Sequence, residues 1–135
     1  MIDMGLFSLL VIGISAAVGA WLRWGLGLFL NPVFPTVPLG TLAANLIGGF
    51  LMGIAMIYLD RNPALPPEVR LAVTTGFLGG LTTFSTFSAE TVTLFIRQEF
   101  LWSVVIIVSH VAGSLVMTLL GIFSIKWLSG GHGLF

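Results

Sequence analysis

The sequence contains no cysteine, so disulfide frameworks and thiolate chemistry are excluded and the redox compartment cannot be inferred. Charged residues are also scarce, at 7% of 135 residues, compared with roughly 25% in an average soluble domain. The formal charges sum to zero and neither sign forms a block, which argues against nucleic acid or an electrostatically bound membrane surface as the main partner. There is no internal repeat or low-complexity linker, so we expect one domain over residues 1–135.

The chain is instead rich in apolar residues. These make up 57% of the sequence, and the mean hydropathy of +1.11 predicts an integral membrane protein. A helix needs about 20 residues to cross a hydrocarbon core of about 30 Å. Four apolar segments are long enough: Leu6–Leu30, Leu39–Leu59, Leu71–Ile96 and Phe100–Lys126. We therefore expect an all-α fold of four transmembrane helices, joined in antiparallel order by short loops, two of which contain prolines.

The first segment has an alternative interpretation as a cleaved signal peptide. The small residues from Ser15 to Ala20 resemble a cleavage site. However, the preceding MIDMG has no lysine or arginine, and the apolar run continues through WLRWGLGLFL. These features favour a membrane span.

The basic residues give only a weak indication of orientation. Arg61, Arg70 and Lys126 fall on the side that carries both termini, while Arg97 and, at the far end of the first span, Arg23 fall on the other. This difference is too small for the positive-inside rule to fix one topology. The chain either inserts in one orientation set by other features or inserts both ways up.

A bundle of four helices encloses little space, so an aqueous path predicts association with further copies of the chain. Small residues spaced four apart would allow helices to pack closely. The pairs are Gly13 and Ala17, Ser15 and Gly19, Gly49 and Gly53, and Gly76 and Gly80. For most of them the favoured interpretation is a contact within one chain.

Several polar residues stand inside the predicted spans. Asn45 must face protein or water, because an unpaired amide costs several kcal/mol in lipid, so it either bonds a neighbouring helix or donates to a passing solute. His110, Ser114 and Thr118 share one helical face, where the hydroxyls either bond back to the preceding turn or form a polar track. His110 is interpreted as a helix contact rather than a metal ligand, because no second ligand stands at metal-binding spacing.

Two charged residues occupy the ends of spans. Arg23 lies between Trp21 and Trp24, where its guanidinium either reaches the headgroups or raises the anion concentration at a pore mouth. Glu90 lies late in the third segment and marks either a vestibule or a side chain that reaches the interface.

The third segment contains GFLGGLTTFSTFSAET, which predicts an interrupted helix. Unbroken, Leu71–Ile96 would be about 39 Å long, more than the hydrocarbon core needs. Paired glycines at Gly79–Gly80, followed by threonines, are poor helix formers. Carbonyls freed in two subunits could hold a cation, and N–H groups of the second half-helix would favour an anion. Phe84 and Phe87 follow on one face, either as core packing or with their positive ring edges turned toward an anion.

GGLTTFSTFS, together with TLAANLIGG, GAWLRW and HVAGSLVMTLLG, resembles the Fluc (CrcB-type) family of microbial fluoride channels. The resemblance runs from Gly13 to Gly121 without departure in these motifs. It implies an antiparallel, dual-topology homodimer in the bacterial cytoplasmic (inner) membrane, with two fluoride pores and one central structural sodium ion. It also implies passive export of fluoride that has entered the cell as the weak acid.

The resemblance also implies roles for particular residues. Phe84 and Phe87 would form the aromatic box around fluoride, Asn45 would be the pore asparagine, and a polar track of hydroxyls would comprise Ser85, Ser114 and Thr118. Backbone carbonyls of Gly79 and Thr82 would bind sodium, and Arg23 and Glu90 would lie in vestibules.

Three other classes of protein are less consistent with the sequence. A small multidrug transporter of dual topology remains the alternative; it needs an embedded carboxylate, and Glu90, its only candidate, lies late in its span without an apparent aromatic cage. An enzyme is not expected, because His110 and Ser114 lack a carboxylate to orient the histidine. A purely structural subunit would not explain the interrupted span.

Overall fold

The computed structural model describes residues 2–130, and their side chains from residue 5 onward. Within that range every regular element is helical, which confirms the predicted all-α class. The elements are α1 (Ile2–Leu30), a 3₁₀ turn (Asn31–Val33), α2 (Leu39–Arg61), α3 (Pro67–Leu71), a π-helical stretch (Ala72–Leu78), α4 (Gly79–Leu81), α5 (Phe84–Ile96) and α6 (Phe100–Leu128).

In the part of the chain that the structure describes, three helical segments are long and apolar enough to cross a membrane: Gly5–Val33, Leu39–Arg61 and Phe100–Leu128. Their mean hydropathies are 2.1, 1.9 and 2.2. In Gly5–Val33 only 6% of the most apolar stretch is buried within the chain. Most of its surface must therefore be covered by lipid or by another protein. The protein is a multi-pass membrane protein.

The third predicted span is not a single helix. Residues 67–81, hereafter the first half-span, run without interruption through α3, the π-helical stretch and α4. The backbone is then extended at Thr82 (φ −84°, ψ 154°) and Thr83 (φ −150°, ψ 117°) before α5 begins. The predicted break is therefore present and lies at the two threonines, while Gly79 and Gly80 remain helical.

The glycines of the first half-span allow close contact with α1. A Cβ built on Gly80 would collide with the carbonyl oxygen of Ala16, and one built on Gly76 would collide with the side chain of Ser15. From the other side, a Cβ on Gly19 would collide with the backbone of the first half-span. These contacts confirm that the pairs Ser15–Gly19 and Gly76–Gly80 pack within one chain. They also bring α1 to the edge of the break.

Helices α2 and α6 are packed in the same way. A Cβ on Gly53 would collide with the carbonyl oxygen of Thr118, Gly49 lies one turn away on the same contact, and Gly121 of α6 lies equally close to the α2 backbone. Gly13 differs, because a Cβ there would meet nothing within 4 Å. The close packing of α2 on α6 brings the polar faces of both helices next to the break.

Arg70 ties the end of α2 to the start of the third span. Its Nη2 donates to the carbonyl oxygens of Leu59 (2.7 Å) and Asn62 (3.0 Å). These carbonyls close the last turn of α2, where a basic side chain is favourable. The loop between the two spans is thereby held compact.

Candidate functional site

Asn45 of α2 bridges the break in the third span. Its Oδ1 accepts a hydrogen bond from the Thr83 backbone N–H (2.8 Å), and its Nδ2 donates to the Thr83 carbonyl oxygen (3.0 Å). The amide thus pairs with both backbone groups of an extended residue, as a neighbouring β-strand would. In an unbroken helix the Thr83 N–H would bond to the carbonyl of Gly79. Asn45 supplies the partners that the helix no longer provides.

The same amide also contacts α6. Nδ2 of Asn45 lies 3.0 Å from Nδ1 of His110. The Thr83 N–H identifies which amide atom of Asn45 is the oxygen, and an amide nitrogen can only donate, so Nδ1 of His110 accepts. The neutral imidazole therefore carries its hydrogen on Nε2. His110 is a helix contact, as predicted, and Asn45 makes the interhelical bond that its sequence position suggested.

The aromatic residues continue outward from His110. The ring of Phe87 stacks on the imidazole with centroids 4.6 Å apart and an interplanar angle of 25°, and Phe84 meets Phe87 edge to face at 5.4 Å and 72°. Phe87 is 7% exposed, whereas Phe84 is 76% exposed. The two rings are neighbours, as their spacing predicted, but Phe84 projects out of the single chain.

Helix α5 begins with a side-chain cap. Oγ1 of Thr83 accepts from the backbone N–H of Thr86 (3.1 Å), which is the standard role of an N-cap threonine. Ser85 lies beside this cap, with its Oγ 3.3 Å from Thr83 Oγ1. In an unbroken helix the Thr86 N–H would bond to the carbonyl of Thr82. The cap on α5 and the amide of Asn45 therefore release two carbonyls from their helical partners, those of Gly79 and Thr82.

One of the two carbonyls between Gly79 and Thr82, that of Gly80, has a charged partner. Nε of Arg23 on α1 donates to the carbonyl oxygen of Gly80 (3.1 Å). The sequence had left two alternatives for Arg23, headgroup contact or a pore mouth. The structure adds a hydrogen bond to the end of the first half-span, which neither alternative included.

Glu90 connects α5 with α2. Its Oε1 accepts from Oγ1 of Thr41 (2.6 Å), and its Oε2 is buried. Thr41 was not among the predicted site residues. It lies four residues before Asn45 and hence on the same helical face, so spacing alone could have identified it.

These elements surround a groove of about 430 Å³ that is open on one side. Most of the predicted pore residues line it: Asn45, Phe84, Phe87, Ser114 and Thr118, together with Thr82. The hydroxyl of Thr118 donates back to the carbonyl oxygen of Ser114 (3.0 Å), one of the two options predicted for this face. Ser85 is exposed and is not part of the lining.

Comparison with known proteins agrees with the motifs. Residues 10–122 match the family model described as CrcB-like protein, Camphor Resistance (CrcB). A protein of Nitrosospira multiformis named fluoride-specific ion channel FluC is 65% identical over 126 residues, which are 93% of this chain and 98% of that relative. Relatives with the same name in Thiobacillus denitrificans and Pseudomonas putida are each 56% identical and cover 90% and 91% of this chain, and 98% and 97% of their own lengths. The chain therefore belongs to the CrcB (Fluc) family, whose named relatives are ion channels and not enzymes.

Proposed function

We propose that this protein is a fluoride-selective ion channel through which fluoride leaves the cytoplasm passively. The observation that carries the proposal is the break at Thr82–Thr83, which is held open by Asn45 and opens onto a groove edged by Phe84 and Phe87. Non-helical backbone at membrane depth is tolerated only where protein buries it or where it lines a cavity. The names of the close relatives support fluoride as the permeant ion.

The lining of the groove suits a small, strongly hydrated anion. Such an ion loses its water only where several donors lie close together, and the groove offers the hydroxyl of Ser114 and the ring edges of the two phenylalanines. The hydroxyl of Thr118 also lines the groove, and it would donate to an anion by turning away from the Ser114 carbonyl that it now bonds. Both amide hydrogens of Asn45 already have acceptors, so an anion there would share a hydrogen that Thr83 or His110 now receives. Asn45 thus lines the pore, and its hydrogen bonds to Thr83 and His110 fix its position before an ion binds.

The pore is completed by a second copy of the chain. The groove is open on one side, and Phe84, which should contact the ion, is largely exposed. Because the basic residues scarcely distinguish the two sides, both orientations are available, and the partner inserts in the opposite one. The first half-span and α5 together form the third of four membrane spans, and the antiparallel homodimer carries two pores.

A structural sodium ion fits the carbonyls released at the break. The oxygens of Gly79 and Thr82 lose their helical partners to Asn45 and to the cap of α5, and Gly79 is exposed on the single chain. Unwound backbone carbonyls are the ligands that membrane proteins use for sodium. When bound, the ion would supply the positive charge that joins the carbonyls of two subunits at the dimer interface.

Arg23 and Glu90 are assigned to the vestibules. Arg23 uses Nε to bond Gly80, which leaves the rest of the guanidinium to attract anions. Glu90 lies midway along α5, about two turns beyond the break, where Thr41 holds it. The membrane is the bacterial cytoplasmic (inner) membrane, across which fluoride enters as the weak acid and returns as the anion.

The test is fluoride efflux from liposomes that contain the purified protein and a potassium ionophore, followed with a fluoride electrode. Efflux of fluoride without chloride supports the channel. Proton-coupled transport of an organic cation would instead support the small multidrug transporter, and the absence of both would reject the proposal. Phe95→Ile is the control for variants of Phe84, because Phe95 is also exposed on α5 but does not line the groove.

A further inference from the structure

We propose that His110 is a positioning residue: by accepting a hydrogen bond at Nδ1, it fixes the orientation in which the Asn45 amide holds the third span broken. The effect of this positioning role on fluoride conduction rests on the proposed function. The geometry on which it depends is a continuous series of contacts that runs from Thr83 through Asn45, His110 and Phe87 to Phe84.

The orientation of the Asn45 amide decides whether the break is stable. As observed, Oδ1 faces the Thr83 N–H and one hydrogen of Nδ2 faces the Thr83 carbonyl. Rotation of the amide by half a turn would set two donors against each other and two acceptors against each other. The acceptor at His110 discriminates between these orientations, because only the observed one directs the second hydrogen of Nδ2 at Nδ1.

The imidazole is itself held in place by its surroundings. His110 is 4% exposed, its ring lies parallel to Phe87, and Nε2 is buried without a hydrogen-bond partner among the described residues. A buried N–H without a partner is unfavourable and asks for an explanation. Histidine meets two requirements here at once: a ring face toward Phe87 and an acceptor toward Asn45.

Two substitutions separate these requirements. His110→Phe keeps a ring against Phe87 but removes the acceptor. His110→Asn removes the ring but places its Oδ1 as many bonds from Cα as Nδ1 of histidine, so the acceptor is kept. A role in positioning Asn45 requires that the second variant recover what the first one loses.

The direct measurement is hydrogen exchange at the Thr83 backbone amide, whose acceptor is Asn45. Since an unpaired buried donor shifts an equilibrium by at least about fivefold, this amide should exchange at least about five times faster in His110→Phe than in the wild type. In His110→Asn the rate should return to within about twofold of the wild type. Amides at the contact between α1 and the first half-span serve as an internal control, because a general loss of stability would accelerate them as well.

A spectroscopic measurement needs no variant. Nitrogen-15 shifts of the His110 imidazole in the intact protein should show the neutral form protonated at Nε2. A ring protonated at Nδ1 would overturn the proposal, as would unchanged Thr83 exchange in His110→Phe or equally fast exchange in both variants.

Fluoride efflux from the same preparations separates this inference from the proposed function. His110→Phe should carry fluoride more slowly than the wild type. If the wild type carries no fluoride while Thr83 exchange follows the expected pattern, the positioning role stands and the channel proposal fails. If the wild type carries fluoride and the exchange pattern is absent, only the positioning role fails.

Discussion

Replacement of Asn45 by leucine tests the central contact of the site. The two side chains have the same number and branching of heavy atoms, so Asn45→Leu removes the hydrogen bonds without deleting a side-chain atom position. It leaves the N–H and the carbonyl of Thr83 without the partners that they have at 2.8 and 3.0 Å. A buried polar group left unpaired costs about 1–3 kcal/mol, so the two backbone groups together cost about 2–6 kcal/mol. This is a large part of the stability of a typical fold, at about 5–15 kcal/mol.

The chain has one way to reduce that cost. The Thr83 N–H could return to the carbonyl of Gly79 and restore the helical hydrogen bond. The helix would then be continuous where the proposed channel requires an interruption, and one of the two carbonyls proposed for sodium would be occupied. Unfolding and a repaired helix thus have the same functional result, which is loss of fluoride efflux and of stabilisation by sodium.

The assay combines thermal unfolding in detergent, with sodium or with a large organic cation, and fluoride efflux from liposomes. The control is Ile47→Leu, because Ile47 is on the same helix but is 40% exposed and does not line the groove. We expect Asn45→Leu to lose efflux and the sodium-dependent rise in the unfolding temperature, and Ile47→Leu to keep both. Wild-type efflux and a wild-type response to sodium in Asn45→Leu would refute the reasoning that the amide holds the break open.

Three further substitutions test other contacts. Phe84→Ile should abolish fluoride efflux yet leave the dimer assembled in size-exclusion chromatography, because the ring is exposed on the single chain; full efflux would remove the role of the ring edge. Gly79→Ala fits within the chain, because its Cβ would make an ordinary contact 3.6 Å from a backbone oxygen. We therefore expect its unfolding temperature to lose the response to sodium through an effect at the subunit interface. An unaltered response would count against the carbonyl site. Gly53→Ala should lower the free energy of unfolding by about 1–3 kcal/mol, because the added methyl group would collide with α6. Gly13→Ala is the control, because a Cβ there would meet nothing within 4 Å and should leave the free energy of unfolding unchanged. Equal effects of the two substitutions would contradict the assigned helix packing.

The helices and their approximate ends could be predicted from the sequence because they depend on local properties. Apolar runs of sufficient length, and prolines such as Pro38 and Pro67 at helix starts, are visible without tertiary structure. The break was also predictable to within a few residues, because a helix of this length that contains Gly79, Gly80 and two threonines has both spare length and weak propensity.

The contacts that stabilise the break could not be predicted in the same way. Nothing local indicates that Arg23 bonds to Gly80 rather than reaching the headgroups, or that His110 accepts from Asn45. Such pairings depend on which faces of distant helices meet, and that is decided by backbone contacts such as those of Gly19 and Gly80. The sequence reveals the small residues but not their partners.

The break is consequently a property of the whole bundle rather than of the segment that contains it. Its hydrogen bonds come from Arg23 on α1, which is 57 positions from Gly80, and from Asn45 on α2, which is 38 positions from Thr83. His110 on α6, which orients Asn45, is 65 positions from that residue. Local propensity only reduces the free-energy cost of the interruption. A threonine cap and two poor helix formers contribute less than the free energy needed to leave backbone carbonyls unpaired in lipid. Since α2 satisfies the extended Thr83, α6 contacts the amide that does so, and α1 bonds the neighbouring Gly80, the non-helical backbone is stable only within the assembled groove. The arrangement that creates the site and the packing that stabilises the fold are therefore the same set of contacts.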